Sequence, residues 1–327
     1  MASFFMNNTA GHNNATAGNE REINPVVTFF LVLTVTFGIS GNTLILVTVL
    51  RIASMKTVTN FLLANVAAAD ITTLFFSTLQ YTLASRVKLN EGATSSFLCK
   101  FVINNSVSLV ALLASLLTLT VLAYERYQVL LHPLTSYRRL SKEHVRYVST
   151  VVWVVAIAVW IPLFIHQDFV KAHGDCFING DQRQLNTYIY CVVVIFILLP
   201  CLIIVFCYFR IISGLYFTNT IWNSAAAAAN TAEELRAKGR LVKLLVTITV
   251  MFFIAFVPYG ISLILRFKLI NSSRPSLQEA KTASQIQLAS QVLILVNASA
   301  NVIIYAFQSK NYRQGFKEVF RSIRCKN

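Results

Sequence analysis

Apolar positions along the chain gather into seven long runs separated by short polar segments: Val26 to Leu50, Thr57 to Ser85, Phe101 to Tyr124, Tyr147 to Gln167, Gln184 to Phe209, Leu244 to Leu265 and Thr282 to Ser309. Each is free or nearly free of charge and reaches the roughly 20 residues that an α-helix needs to cross a bilayer core. The pattern predicts seven transmembrane helices. The third run stops abruptly at Glu125, Arg126 and Tyr127, which places two opposite charges at a membrane face. An unpaired charge at the end of a buried helix is costly, whereas an internal pair can act as a releasable latch; an ordinary interfacial charge pair is the alternative.

Composition agrees with this reading. The 327 residues are 56% hydrophobic and only 13% charged, too apolar for a soluble domain of that size. A net charge of +15 raises nucleic acid as a partner. The basic residues, however, sit in short segments between apolar runs, which is the pattern of topology signals, and nucleic acid is excluded on that ground. Most Lys and Arg residues fall on the side of the C-terminus, so the positive-inside rule puts the N-terminus outside and the C-terminus in the cytoplasm. The expected organisation is a polar extracellular N-terminus over 1–24, a seven-helix membrane domain over 25–309, and an amphipathic helix with a short cytoplasmic tail over 310–327. No removable signal peptide is visible in residues 1–24.

Smaller signals refine that plan. Asn7 and Asn14 have the form of glycosylation acceptors. Thr231 and Glu234 have capping-box spacing, which predicts a sixth helix starting near Thr231 after the low-complexity run Ala225 to Ala229. Beyond the seventh run, Tyr312, Phe316, Val319, Phe320 and Ile323 share one helical face, and Arg313, Lys317, Arg321 and Arg324 lie elsewhere. This predicts a short eighth helix on the inner leaflet. Cys325 at its end is either a palmitoylation site or a free thiol. Of the six cysteines, Cys191, Cys201 and Cys207 lie within the fifth run and Cys325 is cytoplasmic. Cys99 and Cys176 remain on the oxidising side, and a disulfide between them is expected.

Polar groups inside the runs are few. Asp70 is the one acid well inside a span, where a carboxylate costs about 2.5 to 3.5 kcal/mol on insertion scales. Ser115 and the pair Asn297 and Asn301, one helical turn apart, supply further oxygens. Such a set suits a small cation such as sodium; a protonated Asp70 in a purely structural hydrogen-bond network is the even alternative. Pro200 and Pro258 remove backbone hydrogen bonds in the fifth and sixth runs and favour kinks.

Taken together, these residues resemble the rhodopsin-like (class A) G-protein-coupled receptors over essentially the whole chain. The matches are Gly41-Asn42, Ala67 to Asp70, Glu125-Arg126-Tyr127, Trp153, Pro200 with Tyr208, Phe252 with Pro258, and Asn301 with Tyr305. The fold implied is an all-α membrane protein, a seven-transmembrane-helix bundle with a short amphipathic eighth helix on the cytoplasmic face. The implied protein is a multi-pass plasma-membrane receptor and not an enzyme, with no cofactor other than a candidate allosteric sodium ion. The resemblance also implies that Arg126 meets a heterotrimeric G protein when the sixth helix moves outward, that Tyr208 and Tyr305 stabilise the open state, and that Leu134 inserts into the G protein.

Four departures stand out. The seventh-helix motif reads Asn301-Val302-Ile303-Ile304-Tyr305, with valine where the family usually has proline. The sixth-helix motif reads Ala255-Phe256-Val257-Pro258, with phenylalanine for tryptophan. Cys99 precedes Arg126 by two residues more than the pattern, about 3 Å along an ideal helix, and an irregular turn near Asn104 and Asn105 would absorb this. Lys238 stands where an acid would be needed to hold Arg126.

The ligand class is read by elimination. Ser108 takes the place of the amine-binding acid and Leu295 that of the retinal lysine, which argues against biogenic amines and light. The rim instead carries Tyr81, Arg266, Lys268 and Arg274, with Asp168, Asp175 and Asp181 in the second extracellular loop. That mixed polar mouth suits a neuropeptide, and the expected pocket comprises Tyr81, Ser108, Phe256, Tyr259, Arg266, Lys268 and Gln291. A receptor for a small non-amine ligand is the alternative. A seven-helix transporter or pump, in which Asp70 would be an ion site, is a third reading, and it lacks further intramembrane acids.

Overall fold

A computed structural model describes residues 25–86, 92–132, 140–170, 175–178, 180–216, 232–270 and 276–324. Asn7, Asn14, Leu134, Thr231 and Cys325 lie outside the described residues, as do the side chains of Lys238, Arg266 and Lys268. Among the described residues, seven helices are long and apolar enough to cross a membrane. They comprise Pro25–Arg51, Val58–Arg86, a compound third span from Ala93 to Leu131, Lys142–His166, a compound fifth span from Gln182 to Tyr216, Ala232–Ile270 and Leu277–Gln308. A further helix, Lys310–Arg324, follows the seventh span after a single residue, Ser309.

Helix starts are fixed by side-chain oxygens that accept otherwise orphaned backbone N–H groups. Ser141 accepts from the His144 N–H, Asp181 accepts from the Arg183 N–H, and Ser276 with Glu279 forms a complete capping box at the seventh span. The described part of the sixth helix runs from Ala232, and its expected cap at Thr231 lies outside the described residues.

The third span lies at the centre. Of its most apolar window, 78% is buried, against 22% for the fifth span, so the fifth leaves most of its surface to lipid. Leu116, Leu119, Leu122 and Ala123 of the third span pack in one core with Leu62 and Leu63 of the second and with Leu245 and Ile248 of the sixth. Polar ties cross this core. Asn65 Nδ2 donates to Thr118 Oγ1 (2.7 Å) while its Oδ1 accepts from Trp153 Nε1 (3.0 Å), joining the second, third and fourth spans. Asn42 Nδ2 donates to the Ala298 carbonyl (2.8 Å), joining the first to the seventh. One turn away, a Cβ on Gly41 would come within 2.5 Å of Val302 Cγ1, so the two backbones approach as closely as they do because Gly41 has no side chain.

The extra length in the third span is absorbed as expected. Cys99–Ile103 is a π-helical turn, and Asn105 adopts the left-handed conformation (φ 60°) before the regular helix Ser106–Leu131. Asparagine tolerates this conformation better than most residues. A second π-helical stretch, Val193–Leu198, precedes Pro200 in the fifth span. There the wider turn relieves the backbone where the proline ring removes a hydrogen bond.

Candidate functional site

At the C-terminal end of the third span, Glu125 is 7% and Arg126 13% exposed. Neighbours in a helix do not face each other, so the long Arg126 side chain folds back to make a two-pronged contact with Glu125. Nη2 donates to Oε1 at 2.6 Å and Nε donates to Oε2. The pair is therefore internal to one helix. Tyr127 packs against Phe206 of the fifth span (ring centroids 6.0 Å apart) and against His132 (5.3 Å). Tyr208 is buried on the fifth span, beside Thr249 and towards Arg126. Tyr305, 1% exposed, stacks on Tyr312 of the C-terminal helix with centroids 4.6 Å apart and rings 15° from parallel.

The C-terminal helix is held from both sides. Tyr312, Phe316 and Val319 are buried while Phe320 on the predicted apolar face is 55% exposed, the position of a side chain that turns to lipid. Arg313 Nη1 donates to the carbonyls of Ala306 and Phe307 (3.0 Å each), satisfying acceptors that the end of the seventh helix leaves open. Gln308, the last residue of the seventh helix, meets Thr247 of the sixth: Nε2 lies 3.2 Å from Oγ1.

Midway through the bundle, Asp70 is 6% exposed and its Oδ2 accepts from Asn301 Nδ2 at 2.5 Å. The Ser115 hydroxyl is buried with no hydrogen-bond partner among the described residues. Asn297 is only partly buried and is not bonded to Asp70. The structure thus brings Asn301 to Asp70 and leaves the buried Ser115 hydroxyl without a hydrogen-bond partner among the described residues.

At the opposite end of the third span from Arg126, Cys99 and Cys176 form a disulfide. It tethers the third span to an antiparallel hairpin, β1 (Gln167–Val170) and β2 (Asp175–Ile178), in which Phe169 lies opposite Cys176. Buried polar side chains seat the hairpin: Ser106 Oγ donates to Gln167 Oε1 (2.7 Å), and Gln80 Nε2 donates to the Ile103 carbonyl exposed by the break in the helix (2.9 Å). The Ser96 hydroxyl and then the Phe169 N–H hold the Asp168 carboxyl below its ordinary range.

The expected pocket residues separate by depth. Tyr81 is 36% exposed, whereas Ser108, Phe256 and Tyr259 are buried and Gln291 is partly buried. Ser108 Oγ lies 3.2 Å from Ser77 Oγ, and Phe256 stacks on Phe252 at 5.0 Å. Residues not anticipated from the sequence join the outer ends of the sixth and seventh spans. Ser262 Oγ contacts Gln287 Oε1 (3.0 Å), Ser290 Oγ donates to Ser262 Oγ (3.2 Å), and Ser262 Oγ lies 2.7 Å from the Tyr259 carbonyl. Another outer tie runs from the Tyr188 hydroxyl of the fifth span to the Val159 carbonyl of the fourth.

Comparison with known proteins agrees with this geometry. The chain is 28% identical to the somatostatin receptor type 5 of Rattus norvegicus over 299 residues, covering 90% of this chain and 76% of that protein. It is 30% identical to the substance-P receptor of Homo sapiens over 302 residues, covering 89% and 70%. It is 28% identical to the neuromedin-K receptor of Oryctolagus cuniculus over 296 residues, covering 88% and 59%. Residues 41–305 match the 7 transmembrane receptor (rhodopsin family), and with seven spans, the linking disulfide and the Glu125-Arg126-Tyr127 terminus in place, the chain belongs to that family.

Proposed function

We propose that this receptor takes a neuropeptide at its extracellular mouth and activates a heterotrimeric G protein through Arg126. The observation that carries the reading is the two-pronged Glu125–Arg126 pair, an internal ion pair at the end of the most buried span that can be opened without unfolding the bundle. Orientation follows from the disulfide. Stable disulfides belong to the oxidising side, so the Cys99 end of the third span faces outward and the Arg126 end faces the cytoplasm. The first span then starts outside, which agrees with the basic cytoplasmic segments and with a plasma-membrane location. A peptide is favoured because relatives across the chain's length are receptors named for somatostatin, substance P and neuromedin K. The sequence places Tyr81 in the second span, Arg266 and Lys268 in the sixth and Gln291 in the seventh, residue types with the hydrogen-bonding groups that a peptide needs.

Sodium is the proposed allosteric ion, held by Asp70 and Ser115 with help from Asn301; the unpartnered buried Ser115 hydroxyl supports that donor set. Asn297 is the proposed fourth oxygen donor.

The test is a screen of peptides and small metabolites against cells carrying a promiscuous G-protein reporter, with Arg126→Ala as control. A peptide should activate the parent and not the variant. Activation by a biogenic amine, with peptide collections silent, would overturn the ligand class; an equal response from Arg126→Ala would overturn the role of Arg126.

A further inference from the structure

The pairing of Thr247 with Gln308 has no place in the site as described. Thr247 lies in the cytoplasmic half of the sixth helix, and both side chains are partly buried. Thr247 Oγ1 donates its one proton to the Lys243 carbonyl at 2.8 Å, which leaves the oxygen as an acceptor for Gln308 Nε2 at 3.2 Å. The Gln308 Oε1 atom also approaches to 3.3 Å, so the amide group lies across the hydroxyl. Gln308 cannot simply follow the sixth helix if that helix moves. It ends the seventh helix, whose last carbonyls are held by Arg313, and the stack of Tyr305 on Tyr312 fixes the elbow immediately around it. Arg126, meanwhile, is turned back on Glu125 of its own helix.

We infer that Thr247 and Gln308 form a latch holding the cytoplasmic half of the sixth span against the elbow of the seventh, and that opening this bond is a step in activation. The latch acts on a two-state equilibrium, and its contribution is the difference between a bond made in the closed packing and one lost in the open packing. A neutral pair of this kind weakens basal opening without blocking activation, because one such bond shifts an equilibrium by about threefold to tenfold. The consequence for signalling rests on the G-protein reading above, whereas the movement itself does not.

Two readouts separate these claims. The first is a pulsed dipolar distance measurement between spin labels at Arg240→Cys on the sixth helix and Lys142→Cys at the start of the fourth, with Cys191, Cys201, Cys207 and Cys325 replaced by Ser. Without any ligand, Thr247→Val and Gln308→Leu should each raise the population at longer distance about threefold. The double variant should add nothing beyond either single one, and Thr247→Ser should match the parent. Gln308→Asn keeps the amide and its polarity but withdraws it by one methylene, so it should also open the latch should the apolar variants fold poorly. The second readout is basal nucleotide exchange on a panel of heterotrimeric G proteins at matched surface density, which should rise in parallel. A shifted distance with unchanged exchange keeps the latch and removes the coupling reading. Distances unchanged in Thr247→Val and in Gln308→Asn, or additive effects in the double variant, overturn the latch.

Discussion

Two buried carboxylates in this receptor, Asp70 and Glu125, are nearly equally hidden from solvent, at 6% and 7% exposure, yet they are neutralised in opposite ways. Glu125 meets a full positive charge on the adjacent residue, so its pair travels with one helix. Asp70 meets only the neutral amide of Asn301, which comes from a helix 231 residues away in sequence. An amide hydrogen bond compensates part of the cost of burying a charge and leaves the rest for a proton or a cation. Glu125 therefore occupies Arg126 within one helix, while Asp70 ties the second span to the seventh. The first is a pair internal to one element; the second is a joint between elements.

The largest expected effect breaks the local pair. Arg126→Ala should abolish agonist-driven nucleotide exchange while delivery to the surface is retained; exchange at matched surface density measures this. Next, Asp70→Asn should erase a sodium effect on agonist affinity that in the parent is about tenfold, the middle of the usual range for coupled sites. The check is agonist binding in sodium against an equal concentration of a bulky organic cation, and no difference in the parent would leave Asp70 a structural residue. Glu125→Gln keeps shape and one acceptor but removes the charge, and should raise basal exchange about threefold, less than the loss of a whole charge-assisted hydrogen bond would. The smallest effect belongs to a third carboxylate, Asp168, partly buried on the hairpin. Its folded-state acidity is increased by Ser96 and the Phe169 N–H, so it stabilises the hairpin above the ordinary carboxylate range and that contribution is lost as pH falls through the folded value. The protection of the Phe169 N–H from hydrogen exchange, corrected for the intrinsic rate at each pH, should fall in acid in the parent, and Asp168→Asn should show the lower protection at neutral pH already.

How much of this was legible in the sequence depended on range. The spans were readable because a run of apolar residues long enough to cross a bilayer has few other uses, and the disulfide because topology left two cysteines outside. The surplus of two residues before Arg126 signalled an irregular turn, and the side-by-side Asn104 and Asn105 marked its place. That Asn105 would take the left-handed conformation was a matter of backbone geometry beyond the count. The pairing of Asp70 with Asn301 was expected, but helical spacing treated Asn297 as its equal. A full turn displaces Asn297 by about 6 Å along the axis, and side-chain reach at that height selected Asn301 alone. Asn65 was missed because a single amide in an apolar run carries no periodicity. Its role appears only when Thr118 and Trp153 arrive from two other helices. Thr247 and Gln308 were missed for the same reason, since each is unremarkable until the other is beside it.

The outer clasp of Ser262, Gln287 and Ser290 sets the mechanical advantage of the sixth helix. From Ser262 to the start of the helix at Ala232 is a shaft of about 45 Å, at 1.5 Å per residue. Pinned near that end, the helix is a lever: a tilt of about 10° moves its Ala232 tip by about 8 Å and the tip of the short arm, Ser262 to Ile270, about 12 Å long, by about 2 Å. A push of about 2 Å on the short arm is thus magnified about fourfold at the far end of the helix.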